Sequence, residues 1–225
     1  MLLILPIGDN TPRRSIPVAN YLLLAANIFL FFYVLRSPIY HRPEIYLNYG
    51  LIPADFNSDP LGNSLRLLTS LFLHGGIAHL VGNMLFLWIA GDNVEDRLGH
   101  VGYLAFYLLA GVVANLGHVM MAAGRAASTP CVGASGAIAG VLGAYMLWFP
   151  RRRIRLWYLV FFFMGTVSVP SVYVIGFWFL EQLYLGTSTM AYSAGVAYWA
   201  HIGGFIFGAL VVFSFKFAKA WDATS

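Results

Sequence analysis

The sequence predicts an all-α, polytopic membrane protein: a bundle of six transmembrane helices with a short central fourth helix. Three observations carry this. Of its 225 residues, 60% are hydrophobic and 10% are charged, whereas an average soluble domain is about one-quarter charged. The apolar residues fall in long runs, and the mean hydropathy is +0.74. Eleven of the 13 basic residues are arginines, placed at the ends of those runs. That pattern reads as membrane orientation rather than as a nucleic-acid-binding face. A single cysteine, Cys131, excludes an internal disulfide framework.

A helix needs about 20 apolar residues to cross a ~30 Å hydrocarbon core. Span 1 is expected from Ile16 to Leu35. MLLILP before it is too short for the apolar region of a signal peptide and has no basic residue ahead of it. A polar, proline-containing loop follows, and its 37–70 stretch interleaves aromatic and aliphatic residues that suit the membrane interface. Span 2 is expected over Ile77–Ile89, extended upstream by SLFLHGG, and GDNVEDRLGH forms a tight polar turn to span 3 at Val101–Ala122. Span 4 begins near Ser135 and stops at Pro150, where RRRIR follows. Span 5 is expected over Leu156–Leu180 with a bend at Pro170. The loop LGTSTMAYSAG leads to span 6, Trp199–Phe217.

Six spans place both termini on one side. With that side cytoplasmic, it holds nine basic residues (Arg13, Arg14, Arg97, Arg151, Arg152, Arg153, Arg155, Lys216 and Lys219) against four (Arg36, Arg42, Arg66 and Arg125). The positive-inside rule favours this orientation. The chain then divides into a cytoplasmic segment 1–15, a membrane domain 16–217 and a cytoplasmic tail 218–225, in what is expected to be a prokaryotic cell membrane. A five-span arrangement, with span 5 or the 37–70 segment misread, is the alternative.

Span 4 is the unusual element. Ser135–Phe149 rises only ~22 Å as a helix, and the proline and arginines pin its inner end. Ser135 is therefore expected below the outer surface, reached by a loop that descends into the membrane. Such backbone survives only when buried in protein or lining a wet cavity. Gly136, Gly140 and Gly143 line one face of span 4, and His201, Gly204 and Gly208 line one face of span 6. Stripes of small residues let helix backbones approach closely. If the two stripes face each other, Ser135 meets His201 at similar depth. A histidine can serve as base to a serine hydroxyl. No acidic residue lies near the outer ends of these spans; Glu181 is nearest in sequence to His201 and lies across a loop, so a dyad is expected. A helix start offers free backbone N–H groups to a developing oxyanion. His79 and Asn83, at i and i+4 of span 2, add side-chain donors on one face.

These residues resemble a known family. GASGAIAG, AHIGGFIFG and HGGIAHLVGN are similar, in the same order and on the same spans, to the Gly-x-Ser-Gly, Ala-His-x-x-Gly-x-x-x-Gly and His-x4-His-x3-Asn segments of rhomboid intramembrane serine proteases. The resemblance implies a rhomboid-like bundle with Ser135 as nucleophile and His201 as general base and acid. It implies an oxyanion hole from His79, Asn83 and the Ser135 N–H, with His74, Gly133 and Gly136 in support. It likens Arg66 to the family's Trp-Arg pair in the first loop, and Glu95 and Arg97 to its polar pair after span 2. Two positions depart: Leu65 stands where many members have tryptophan, and Ala139 where some place an aromatic ring against the histidine. Ala139 leaves the packing of His201 looser or assigned to another residue.

The expected function is cleavage of peptide bonds in or near transmembrane segments of other proteins, which enter sideways past spans 2 and 5. No cofactor, metal or nucleic acid is expected, since HExxH is absent and His-x4-His does not repeat its geometry. The partners are transmembrane substrates and the lipid bilayer. The alternative is a catalytically silent binder on the same fold, against which the retained Ser135 and His201 argue. A channel or transporter is weakened by the lack of acidic residues deep within the spans.

Overall fold

The computed structural model describes residues 2–12, 14–188 and 196–222. Arg13, residues 189–195 of the last loop, residues 223–225 of the tail and the Lys219 side chain lie outside the described residues. The molecule is mostly helical, but the all-α expectation is incomplete, because three strands form an antiparallel sheet.

Strand β1 (Leu2–Asp9) precedes helix α1 (Val18–Arg36). Helix α1 turns Asn20, Leu23, Leu24, Asn27, Phe31 and Val34 inward and leaves Leu22, Phe29 and Phe32 exposed. An outward apolar face of this kind suits lipid rather than water. The first loop is built of short helices, α2 (Arg42–Tyr49), α3 (Pro53–Ser58) and α4 (Arg66–Thr69). Pro43 and Pro53 sit in the first turns of α2 and α3, where a missing N–H costs nothing. Leu51 and Cys131 exchange backbone hydrogen bonds of 3.0 and 2.7 Å, tying this loop to the one before Ser135.

Helix α5 runs from Ile77 to Met121 and breaks only at Gly99, whose φ of 71° lies in the left-handed region that glycine adopts freely. The polar stretch read as a turn is therefore helical up to that residue. Glu95 holds it in place: the buried carboxylate accepts from the Ala19 and Asn20 N–H groups at 2.9 and 2.7 Å, at the start of α1. Those are amides a helix start leaves unpaired.

Helix α6 (Ser135–Trp148) has 14 residues, and every residue from Gly136 to Tyr145 is buried. It packs chiefly against α5 and against α8 (Tyr198–Asp222). The glycine stripes make that contact. A Cβ added at Gly204 or Gly208 would fall on the carbonyl oxygens of Gly136 and Gly140. No residue larger than glycine fits at either position without separating the helices.

The expected span 5 is corrected. Its first half forms strands β2 (Arg153–Val160) and β3 (Phe163–Pro170), and only Ser171–Ser188 is helical, as α7. β2 is central, pairing with β3 from Arg153↔Pro170 to Val160↔Phe163, and with β1 from Asp9↔Ile154 to Leu2↔Val160. The segment is rich in aromatic and β-branched residues, which favour strands. Pro170 stands at the junction of strand and helix and causes no bend within a helix.

Candidate active site

Ser135 is the first residue of α6, and His201 lies in the first turn of α8. With the glycine stripes in contact, His201 Nε2 stands 2.8 Å from Ser135 Oγ. That distance suits proton transfer from the hydroxyl to a neutral imidazole. His201 is buried, and the pair borders a cavity of about 490 Å³ that also touches His79, Asn83, Gly133 and Trp178.

The cavity wall carries hydrogen-bond donors. Asn83 is buried on α5, and its Nδ2 has no partner among the described residues. The start of α6 has no side-chain cap, since Ala134 occupies the capping position. Its first N–H groups lack intrahelical acceptors. Gly133, at φ 130°, occupies backbone space open to glycine, and a Cβ there would meet the His79 ring at 2.8 Å. Its absence lets His79 close over the serine loop. Gly136 plays a packing part, for a Cβ on it would meet Ala114 Cβ at 2.6 Å. His74 is buried with its ring edge-on to His79 at 5.2 Å, and Tyr46 donates to its carbonyl oxygen at 2.9 Å.

All the expected site residues converge on one region, His74 one step back from the cavity. The remaining sequence candidates lie elsewhere. Arg66 pairs with Asp55 at 3.0 Å inside the first loop, Leu65 is exposed, and Arg97 lies over the Phe149 ring. Cys131 lines the cavity. Desolvation raises its thiol above the usual cysteine range.

Sequence reasoning missed two neighbours of His201. Gln182 Oε1 stands 2.7 Å from His201 Nδ1. The Trp178 ring lies 5.8 Å from the imidazole at 37° to it, on the histidine that Ala139 leaves without an aromatic neighbour of its own. Both come from α7, at i and i+4, and so share a face. A signal was present: Ile175, Gln182 and Gly186 form the buried stripe of that helix. The exposed Glu181 beside Gln182 drew attention instead.

The sequence matches the Rhomboid domain over residues 62–216, which is most of the chain. The chain belongs to the rhomboid family. Among curated proteins, this rhomboid is 30% identical to the mitochondrial presenilin-associated rhomboid-like protein of Rattus norvegicus over 83% of the chain and 45% of that protein. It is 35% identical to the rhomboid protease GluP of Bacillus subtilis (strain 168), over 58% of the chain and 24% of that protein. RHOMBOID-like protein 4 of Arabidopsis thaliana matches at 32%, over 66% of the chain and 33% of that protein. The chain spans less than half the length of each of these relatives. Helices α1, α5 and α8 are long and apolar enough to cross a membrane, and the rhomboid domain is an integral membrane unit.

Proposed function

We propose that this rhomboid is an intramembrane serine endopeptidase that cleaves peptide bonds in or near transmembrane segments of other membrane proteins. The observation that carries the reading is the 2.8 Å contact between Ser135 Oγ and His201 Nε2, beside a cavity that the unpaired Asn83 Nδ2 lines. His201 accepts the hydroxyl proton as Ser135 attacks the scissile carbonyl carbon. The resulting oxyanion is held by Asn83, His79 and the Ser135 N–H. The tetrahedral intermediate collapses to an acyl-enzyme as His201 returns the proton to the leaving amine. Water, activated by the same histidine, then releases the acyl group and restores Ser135.

In this reading α1, the two arms of α5, α6, α7 and α8 are six crossings of one membrane domain, residues 16–217. At 14 residues α6 rises about 21 Å, less than the hydrocarbon thickness, and so holds Ser135 within the bilayer in contact with water. Both termini lie on the arginine-rich, cytoplasmic side. A silent binder on the same fold would have no use for the Ser135–His201 contact.

The test is cleavage of a labelled transmembrane substrate by the purified protein in lipid. Wild type is expected to cut, and Ser135→Ala and His201→Ala are each expected to be inactive. Equal cleavage by all three would overturn the assignment. Substrate capture by folded wild type without cleavage would favour the silent binder.

A further inference from the structure

Gln182 is the only glutamine of the chain and is 5% exposed. Its amide oxygen faces one ring nitrogen of His201 at 2.7 Å while the serine faces the other at 2.8 Å. A neutral imidazole carries one N–H, and a carbonyl oxygen only accepts. With the amide oxygen turned toward the ring, the proton belongs on Nδ1, and the lone pair of Nε2 points at the Ser135 hydroxyl. This is the tautomer that can take the serine proton. Trp178, one turn earlier on α7, lies against the same ring. The indole limits the tilt of the imidazole, and the amide limits its rotation within its own plane.

We propose that Gln182 is a positioning residue that completes a Ser135–His201–Gln182 triad by accepting the hydrogen bond from Nδ1. The proposal rests on the Ser135–His201 reading and adds to it what holds the base in its working form. A carboxylate in the same place would carry a buried charge at high desolvation cost, whereas an amide orients the ring without one. The amide thus supplies orientation and tautomer selection and leaves the transient imidazolium without an anionic partner. The opposite amide orientation would donate to Nδ1 and put the ring proton on Nε2, a resting state with no free base toward the serine.

Two measurements test this. In protein labelled with ¹⁵N-histidine and held in lipid nanodiscs, the His201 signals, assigned by their loss in His201→Ala, are expected to show Nδ1 protonated and Nε2 bare. A resting Nε2–H tautomer would overturn the proposal, and this reading needs no Gln182 variant to fold. In the cleavage assay, Gln182→Leu is expected to lower kcat about 10–100-fold with KM within about twofold. Gln182→Glu, which keeps an acceptor oxygen, is expected to recover to within about tenfold of wild type. Wild-type kcat in Gln182→Leu would overturn the proposal. So would a Gln182→Glu variant no better than Gln182→Leu. Ser135→Ala, assayed in parallel, separates the two levels. If Ser135→Ala still cleaves, the underlying reading fails. If Ser135→Ala is dead while Gln182→Leu is fully active, only the role of Gln182 falls.

Discussion

The two ends of helix α6 are finished in opposite ways. At its C-terminal end the carbonyls are answered: Lys216 Nζ donates to Leu147 O at 2.8 Å, and Ser171 Oγ to Phe149 O at 2.6 Å. Nearby, the Tyr145 hydroxyl is shared between Asp9 and Thr11. At its N-terminal end no side chain caps the helix, and Asn83 presents an unpaired donor beside it. A buried donor without a partner costs about 1–3 kcal/mol. One end therefore anchors the helix, and the other leaves the Asn83 donor unpaired beside Ser135.

Substitutions can break this contrast. The largest effect is expected at the N-terminal end, where removing either the Ser135 hydroxyl or the His201 ring should lower kcat by about 10³-fold or more with the fold intact, as read by peptide cleavage and gel filtration. Asn83→Ala should lower kcat by about 10²–10³-fold, the scale of one lost oxyanion donor. KM should change little and thermal stability should hold or rise, because an unpaired buried donor is gone. A fall in stability with unchanged kcat would make Asn83 a packing residue.

Between the ends, Gly208→Leu should force α6 and α8 apart and cost at least ~1–3 kcal/mol, seen as a lowered melting temperature in detergent together with lost activity. Wild-type stability in that variant would show that the two stripes are not in backbone contact. The smallest effect is expected at the C-terminal end. Tyr145→Phe leaves Asp9 and Thr11 without their shared hydroxyl and should cost about 1–2 kcal/mol with kcat unchanged. A fall in kcat instead would mean that the two ends are coupled.

The same contrast explains what could be read in advance. The N-terminal end of α6 was legible because its determinants are local: the glycines repeat at helical spacing, and Ser135 and His201 each open a small-residue stripe. The segment 153–170 was not. Its central strand β2 takes a partner, β1, from the N-terminal end of the sequence, and a hydropathy window over Leu156–Val169 looks the same for a strand pair as for half a span. The helical continuation through Glu95 was hidden similarly, since its partners are the amides of Ala19 and Asn20. Gln182 was missed because an acid was sought beside His201, and the neutral acceptor that an apolar bundle tolerates lies one residue past the exposed Glu181.

If His201 activates Ser135 as a nucleophile inside the membrane domain, a fluorophosphonate should modify that serine in the lipid-embedded protein, as intact-protein mass spectrometry reads. A single adduct is predicted on Ser135, absent in Ser135→Ala and formed far more slowly in His201→Ala. Equal labelling of Ser135→Ala, or no adduct on folded wild type, would rule out a Ser135 nucleophile.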